Sequence, residues 1–306
     1  MTGITVAGVR RTFGDVVAVD SMDLDVPAGR VTALIGPNGS GKTTLLLVLA
    51  TLLVPDSGTV RVAGYDPVTQ PTEVRRRTGW MPDAFGTWDT LTCREVLATV
   101  ADAYRLPRAA SRARIGELLE LVHLADLADR PTQVLSRGQK QRLGLARALV
   151  HSPEVLLLDE PASGLDPRSR IELRGIVRDL ARAGAAVLIS SHVLAELDEL
   201  ADRAVIVARG RTVAVQDVAE GEGHEPSARP WRVRALDGAR LVAALDTLGR
   251  THADPGPDGV DVDVRSDEDA AELLATLVRD GVPVVSVHPA SGVLEHAYLA
   301  ITEDRR

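Results

Sequence analysis

The chain has 306 residues, 45% of them hydrophobic and 25% charged, so it can bury a full core and is long for a single domain. Its one cysteine, Cys93, excludes an internal disulfide framework and a cysteine-based zinc site and fits a reducing compartment. A formal net charge of −8 argues against nucleic acid as a partner. Met1-Thr2-Gly3-Ile4-Thr5 has neither the basic nor the apolar region of a secretory leader, and no stretch reaches the ~18 apolar residues that span a bilayer, so a cytoplasmic chain is expected.

Val16 to Val26 alternates apolar and polar residues before Pro27-Ala28-Gly29, which predicts a half-buried strand and a turn. Val31 to Ile35 is an apolar run broken only by Thr32 and predicts a buried strand, and Lys42 to Leu53 predicts a helix. Between them lies Gly36-Pro37-Asn38-Gly39-Ser40-Gly41-Lys42-Thr43-Thr44, which fits G-x-x-x-x-G-K-[ST] in its proper strand-turn-helix setting. Its glycines let backbone N–H groups curl around phosphate, the helix N-terminus adds positive potential, and Thr43 is placed to ligate Mg²⁺. The chain's 35 basic residues include only two lysines, Lys42 and Lys140. A compact ammonium fits inside a closed phosphate cradle where a planar guanidinium is too large, so lysine at 42 reads as a chemical requirement.

From Thr92 to Ala128 the pattern turns helical, with Ser111 predicted to cap a helix carrying Ile115, Leu118, Leu119 and Val122. This reads as a helical insertion in an α/β core. The core resumes with strand Val155 to Leu158, helix Arg168 to Arg182, strand Ala186 to Ile189, helix Val193 to Leu200 and strand Ala204 to Val207. Gly221 to Ser227 breaks all periodicity and reads as a linker. Beyond it, Trp231 to Ala235, Gly238 to Leu248, Val260 to Val264, Glu268 to Arg279, Val282 to Val287 and Val293 to Ile301 read β-α-β-α-β-α, a second small α/β unit without motif chemistry.

Two strand ends carry candidate chemistry. Asp159 and Glu160 end the apolar run from Val155, at the C-terminal edge where open α/β sheets place their sites. There Asp159 is expected to hold Mg²⁺ through its water shell and Glu160 to take the proton of an attacking water. Ser190-Ser191-His192 follows another apolar strand and brings an imidazole to the same edge.

Leu135-Ser136-Arg137-Gly138-Gln139-Lys140-Gln141-Arg142 leads into an apolar helical run, and a serine and glycine at a helix start can bind anionic oxygens. Together with the phosphate loop, this run resembles the signature sequence of the ATP-binding cassette (ABC) ATPases. Further motifs match in order: Phe13 as the aromatic that stacks on adenine with Val19 beside it, Asp159-Glu160 as the Walker B segment, Ser163-Gly164-Leu165-Asp166 as the D-loop and His192 as the switch histidine. The tail Leu294 to Thr302, Trp80-Met81-Pro82-Asp83 and the Leu-Ser-Arg-Gly signature resemble the bacterial drug- and antibiotic-efflux branch. The resemblance implies an α/β, ABC-type P-loop domain over residues 1–216 with a helical subdomain at about 85–150, then a linker at 217–229 and a small α/β domain at 230–306. It also implies a dimer in which Ser136, Gly138 and Gln139 of one cassette touch the γ-phosphate held by Lys42 of the other.

Two positions depart from the family pattern. Asp83 stands where the family has a glutamine that meets Mg²⁺ and the membrane subunit, and Arg137 replaces the first glycine of the signature. A carboxylate is itself a hard-oxygen ligand suited to Mg²⁺. Trp80, Phe85 and Trp88 gather three of the eight aromatics around Asp83, which reads either as core packing or as a docking surface for a membrane partner. The expectation is an ATP- and Mg²⁺-dependent ATPase subunit of an exporter, peripheral on the inner face of the cell membrane, working as a homodimer or cassette heterodimer with a separately encoded transmembrane permease. An importer ATPase and a soluble, non-transport ABC-type ATPase are the alternatives.

Overall fold

The computed structural model describes residues 3–83, 86, 88–191, 193–217, 229–253, 255–256 and 259–290. The chain divides into two compact units, Met1–Ala219 and Glu220–Arg306. Of the sequence expectations, His192, Phe85, residues 218–228 of the linker expected at 217–229 and the last helix and tail from 291 onward lie outside the described residues. The linker's expected ends, Asp217 and Arg229, belong instead to strands.

The first unit runs β1 (Ile4–Phe13), β2 (Val16–Val26), β3 (Val31–Ile35), α1 (Lys42–Leu49), β4 (Ser57–Val62), α2 (Pro71–Arg77), β5 (Thr78–Met81), α3 (Cys93–Ala103), α4 (Arg108–Leu121), α5 (Arg137–Leu149), β6 (Val155–Asp159), α6 (Pro167–Arg182), β7 (Ala186–Ser191), α7 (Leu194–Asp198), β8 (Arg203–Ala208) and β9 (Arg211–Asp217). A six-stranded sheet has the order β5-β6-β7-β3-β8-β9, parallel throughout except for β9. Strands β3, β6 and β7 are buried along their whole length. They therefore read as mostly apolar runs, as strands covered on both faces do, with polar residues at Thr32 and at the C-terminal ends of β6 and β7. A second, antiparallel sheet has the order β2-β1-β4 and buries alternate residues. Leu45, Leu46 and Leu49 of α1 join one core with Val6, Met22 and Leu24 of the antiparallel sheet and Leu157, Leu188 and Val205 of the parallel one. That burial fixes where α1 begins, and with it the phosphate loop.

Two local expectations are corrected. Ser111 does not cap a helix; it is buried inside α4, which starts at Arg108 because Pro107, with φ −56° and ψ 136°, sets the chain up to enter the helix earlier. Helix α1 ends at Leu49, four residues short of Leu53, since Thr51 takes φ 63° and the Leu52 N–H turns back to the Leu47 carbonyl. Strands β1, β4, β5 and β9 and helix α2 were not foreseen.

The second unit comprises β10 (Arg229–Ala235), α8 (Gly238–Thr247), β11 (Val260–Val264), α9 (Asp267–Arg279) and β12 (Val284–Pro289), with an antiparallel sheet ordered β11-β10-β12. Asp237 and Ser266 cap its helices. Val260, Val262 and Val264 turn inward onto Leu241, Leu245, Leu273 and Leu277, as the alternation in the sequence predicts.

Candidate nucleotide site at the sheet edge

Strand β3 lies in the middle of the parallel sheet, between β7 and β8, and the phosphate loop leaves its C-terminal end. Gly41 caps α1 with φ 101° and no side-chain hydrogen bond, and a Cβ there would lie 2.5 Å from the Ala18 carbonyl oxygen of β2. Only glycine tolerates both the dihedral and the approach. The first-turn N–H groups of α1 are thus left without a side-chain cap.

The Lys42 ammonium reaches back over the loop and donates to the Gly36 carbonyl at 2.6 Å and the Pro37 carbonyl at 3.2 Å. An ammonium has three donors, so one is left for an anion. Burial lowers the Lys42 pKa, while the negative charges of Glu160 and Asp159 oppose that shift. The Ser40 hydroxyl is buried without a hydrogen-bond partner. An orphaned hydroxyl, an uncapped helix start and a spare ammonium donor make this loop a fit for phosphate oxygens.

Asp159 ends β6, separated from β3 by β7, and is buried. Its carboxylate accepts from Thr43 Oγ1 at 3.1 Å and from Ser190 Oγ at 2.5 Å. Register explains the second bond, because Asp159 lies beside Ser190 in the sheet. Thr43 and Asp159 supply hard oxygens of the kind Mg²⁺ takes. Among the described residues no group of three or more His, Cys, Asp or Glu could hold a metal alone. A Mg²⁺ ion here would therefore complete its shell with phosphate oxygens and water, which is how that ion is usually held.

Glu160 follows immediately, at φ 48°, a region that non-glycine residues seldom occupy. Its N–H is held by the Ser190 carbonyl at 3.1 Å and by the Ser190 hydroxyl at 3.2 Å. A strained residue over-determined by its neighbour is a common feature of reactive sites. From the sequence, Ser190 is set just after the strand and given no role, whereas it lies within β7; a polar residue completing such a strand is itself a signal.

Phe13 ends β1, is 44% exposed and has the Arg11 guanidinium 4.8 Å from its ring centre. Val19 is fully buried; its Cγ2 would lie 3.4 Å from a Cβ on Gly41, so it backs the loop from the core side. Asp83 is exposed just beyond β5, which neighbours β6, and its carbonyl accepts from the Gln141 side chain at 3.3 Å. Of the two described tryptophans near it, Trp80 packs partly against the core and Trp88 is half exposed.

Ser136 caps α5 in a reciprocal capping box: its hydroxyl accepts from the Gln139 N–H at 3.2 Å, and its own N–H donates to the Gln139 side chain at 2.8 Å. The hydroxyl proton and the Gln139 amide donors stay available to an outside acceptor. A Cβ on Gly138 would make only ordinary contacts, none closer than 3.4 Å, so the chain's own packing does not demand glycine there.

The ABC transporter family model matches residues 19–163. The chain is 36% identical to the daunorubicin/doxorubicin resistance ATP-binding protein DrrA of Streptomyces peucetius, across 98% of this chain and 92% of that protein. It is 37% identical to the daunorubicin resistance ATP-binding protein DrrA3 of Streptomyces coeruleorubidus, across 100% and 97%. A sulfate/thiosulfate import ATP-binding protein, CysA of Thermosynechococcus vestitus, is 40% identical over 74% of this chain and 67% of its own length. Among solved structures, an ATP-binding subunit of an ABC transporter superposes with a TM-score of 0.66 at 29% identity, covering 71% of this chain and 90% of that one. The chain belongs to the ABC transporter ATP-binding proteins, and it is an ATP-binding, ATP-hydrolysing subunit of that family.

Proposed function

We propose that the chain powers a drug exporter as a MgATP-driven subunit on the cytoplasmic face of a cell membrane, docked on a separately encoded permease. The observation that carries the export reading is the extent of the likeness. The drug-resistance relatives align along the whole chain, second unit included, whereas the import relative aligns over 226 residues, close to the length of the first unit alone.

In this reading Phe13 is the adenine platform, with Val19 supporting the loop behind it. The loop residues Gly36, Pro37, Asn38, Gly39, Ser40, Gly41, Lys42, Thr43 and Thr44 hold the phosphates. Thr43 and Asp159, with Asp83 from the neighbouring strand end, hold Mg²⁺. When bound, that ion neutralises charge on the β- and γ-phosphate oxygens. Glu160 accepts the proton of the attacking water and His192 senses the γ-phosphate. Ser136, Gly138 and Gln139 meet the nucleotide of a second cassette, in a homodimer or a cassette heterodimer. The spare donors at Ser136 and Gln139 and the unforced glycine between them support that contact. Half-exposed Trp88, which follows Asp83 closely in the sequence, suits docking to the permease. No helix among the described residues is long and apolar enough to cross a membrane. The second unit, a folded α/β body with its own core, is assigned a regulatory or dimer-stabilising role.

Co-expression with candidate permeases tests this reading. The chain should co-purify with one of them, and inside-out vesicles holding the pair should accumulate an anthracycline only with ATP and only with Lys42 intact. ATP-driven uptake in the opposite sense, dependent on a solute-binding protein, would overturn the export assignment.

A further inference from the structure

The arginine that replaces glycine in the signature turn has a partner in its own chain. Arg137 is the first residue of α5, and its guanidinium donates to the Ser163 hydroxyl at 2.7 Å. Its aliphatic stem lies across Gly164: a Cβ on that glycine would come 2.7 Å from Arg137 Cδ and 2.8 Å from Nε. Gly164 also takes φ 75°, so a side chain there is excluded by strain and by the arginine together. A glycine at 137 could make neither contact.

A second arginine of α5 repeats the link deeper in. Arg142 bonds the Ser169 hydroxyl and lies 3.4 Å from the Glu172 carboxylate. Ser169 in turn donates to Asp166 at 2.5 Å from its hydroxyl and at 3.0 Å from its N–H, which fixes the start of α6. Beside this second link lies a small pocket lined by Val122, Leu145, Pro161, Leu165, Leu173 and Ile176. Leu165 is buried and its Cδ2 lies 3.4 Å from where a Cβ on Gly138 would stand, so the two polar clamps add to an apolar contact between segment 163–166 and the signature turn.

We propose that Arg137 is a positioning residue which fastens Ser163-Gly164 to the signature turn, so that both present one rigid surface to the second cassette. This rests on the reading that Ser136, Gly138 and Gln139 face that cassette's nucleotide. Arg137 lies in neither the phosphate loop nor the Walker B strand, so it acts on turnover and not on the first binding of ATP.

The test is a double-mutant cycle in the full chain, with ATP affinity, kcat and KM measured for Arg137→Ala, Ser163→Ala and both, and with Arg137→Lys as the conservative variant. Arg137→Ala and Ser163→Ala should each lower kcat about threefold to tenfold with ATP affinity unchanged, and the double variant should be no slower than the worse single. Arg137→Lys, which can still donate to Ser163, should recover most of the loss. Losses that multiply, full turnover in either single variant, or failure of Lys to rescue would overturn the clamp. If Arg137→Ala does not fold, the Ser163→Ala and Arg137→Lys arms decide in the same way. Ser136→Ala separates the two readings: full turnover there removes the signature assignment itself, whereas a loss at Ser136 with an additive cycle removes only the clamp.

Discussion

Thr43 and Asp159, 116 residues apart in sequence, meet across 3.1 Å, hydroxyl to carboxylate, over the end of β7. The other carboxylate oxygen is taken by Ser190, whose hydroxyl also accepts from the Glu160 N–H. One serine thus orients a metal-binding candidate and its neighbouring base candidate together.

Ser190→Ala should therefore lower kcat about tenfold with little change in KM, because ground-state contacts to ATP lie on the loop while Asp159 and Glu160 act later. Leaving the buried carboxylate with one donor fewer should also cost about 1–3 kcal/mol of stability. Steady-state ATPase assays and urea unfolding check both parts. Unchanged turnover would mean that Thr43 alone fixes Asp159.

Glu160→Gln keeps the shape of the side chain and removes the base. It should bind MgATP yet hydrolyse it at least ~100-fold more slowly, and closed dimers should accumulate on a sizing column. Lys42→Ala should instead lose ATP affinity, since its charge serves ground state and transition state alike. Wild-type turnover in the first, or wild-type binding in the second, would move these roles elsewhere.

Asp83→Asn distinguishes a metal role from a docking role. Removing a hard anionic oxygen near Mg²⁺ should shift the Mg²⁺ concentration needed for half-maximal ATPase activity upward. If the Mg²⁺ titrations coincide and only stimulation by the permease changes, Asp83 serves the interface.

The elements that carry the site were legible because buried parallel strands and a glycine-rich loop each write a dense local pattern: β3, β6 and the start of α1 fall where the sequence places them. The edges were not. Strand β5 is four residues long and follows an arginine-rich helix, and β1 and β4 mix polar residues into half-exposed strands, so no period dominates. Ser190 and the Arg137–Ser163 contact were hidden for a different reason. Both depend on which strand or loop lies alongside in space, and one sequence without partners in register cannot state that.

A chain ended after Asp217 should fold and bind ATP, because the first unit has its own core and contains every phosphate-loop contact described above. It should also dimerise more weakly, or lose control of its ATPase, if the second unit regulates. Sedimentation and ATPase assays against the full chain decide. An insoluble product would show that the two units stabilise one another, and identical association and turnover would remove the regulatory role.

His151 gives the fold a predictable acid sensitivity. Its ring stacks on Tyr104 with centroids 3.8 Å apart, Nε2 lies 3.1 Å from the Thr78 carbonyl oxygen, and Nδ1 is buried without a partner. A proton on Nδ1 would bury an unpaired charge; burial accordingly lowers the pKa from 6.5 to about 4, against the opposing pull of the Thr78 carbonyl. Between those two values the unfolded chain takes up a proton that the folded chain refuses. Stability should thus hold above pH 6.5 and fall as pH drops toward 4, by about 2–3 kcal/mol in total from this residue. His151→Phe keeps the stacking and cannot titrate. It should cost about 1 kcal/mol at pH 7.5 for the lost hydrogen bond and show a shallower decline between pH 6.5 and 4 in urea unfolding. Parallel pH profiles for the two proteins would show that His151 is not the group responsible.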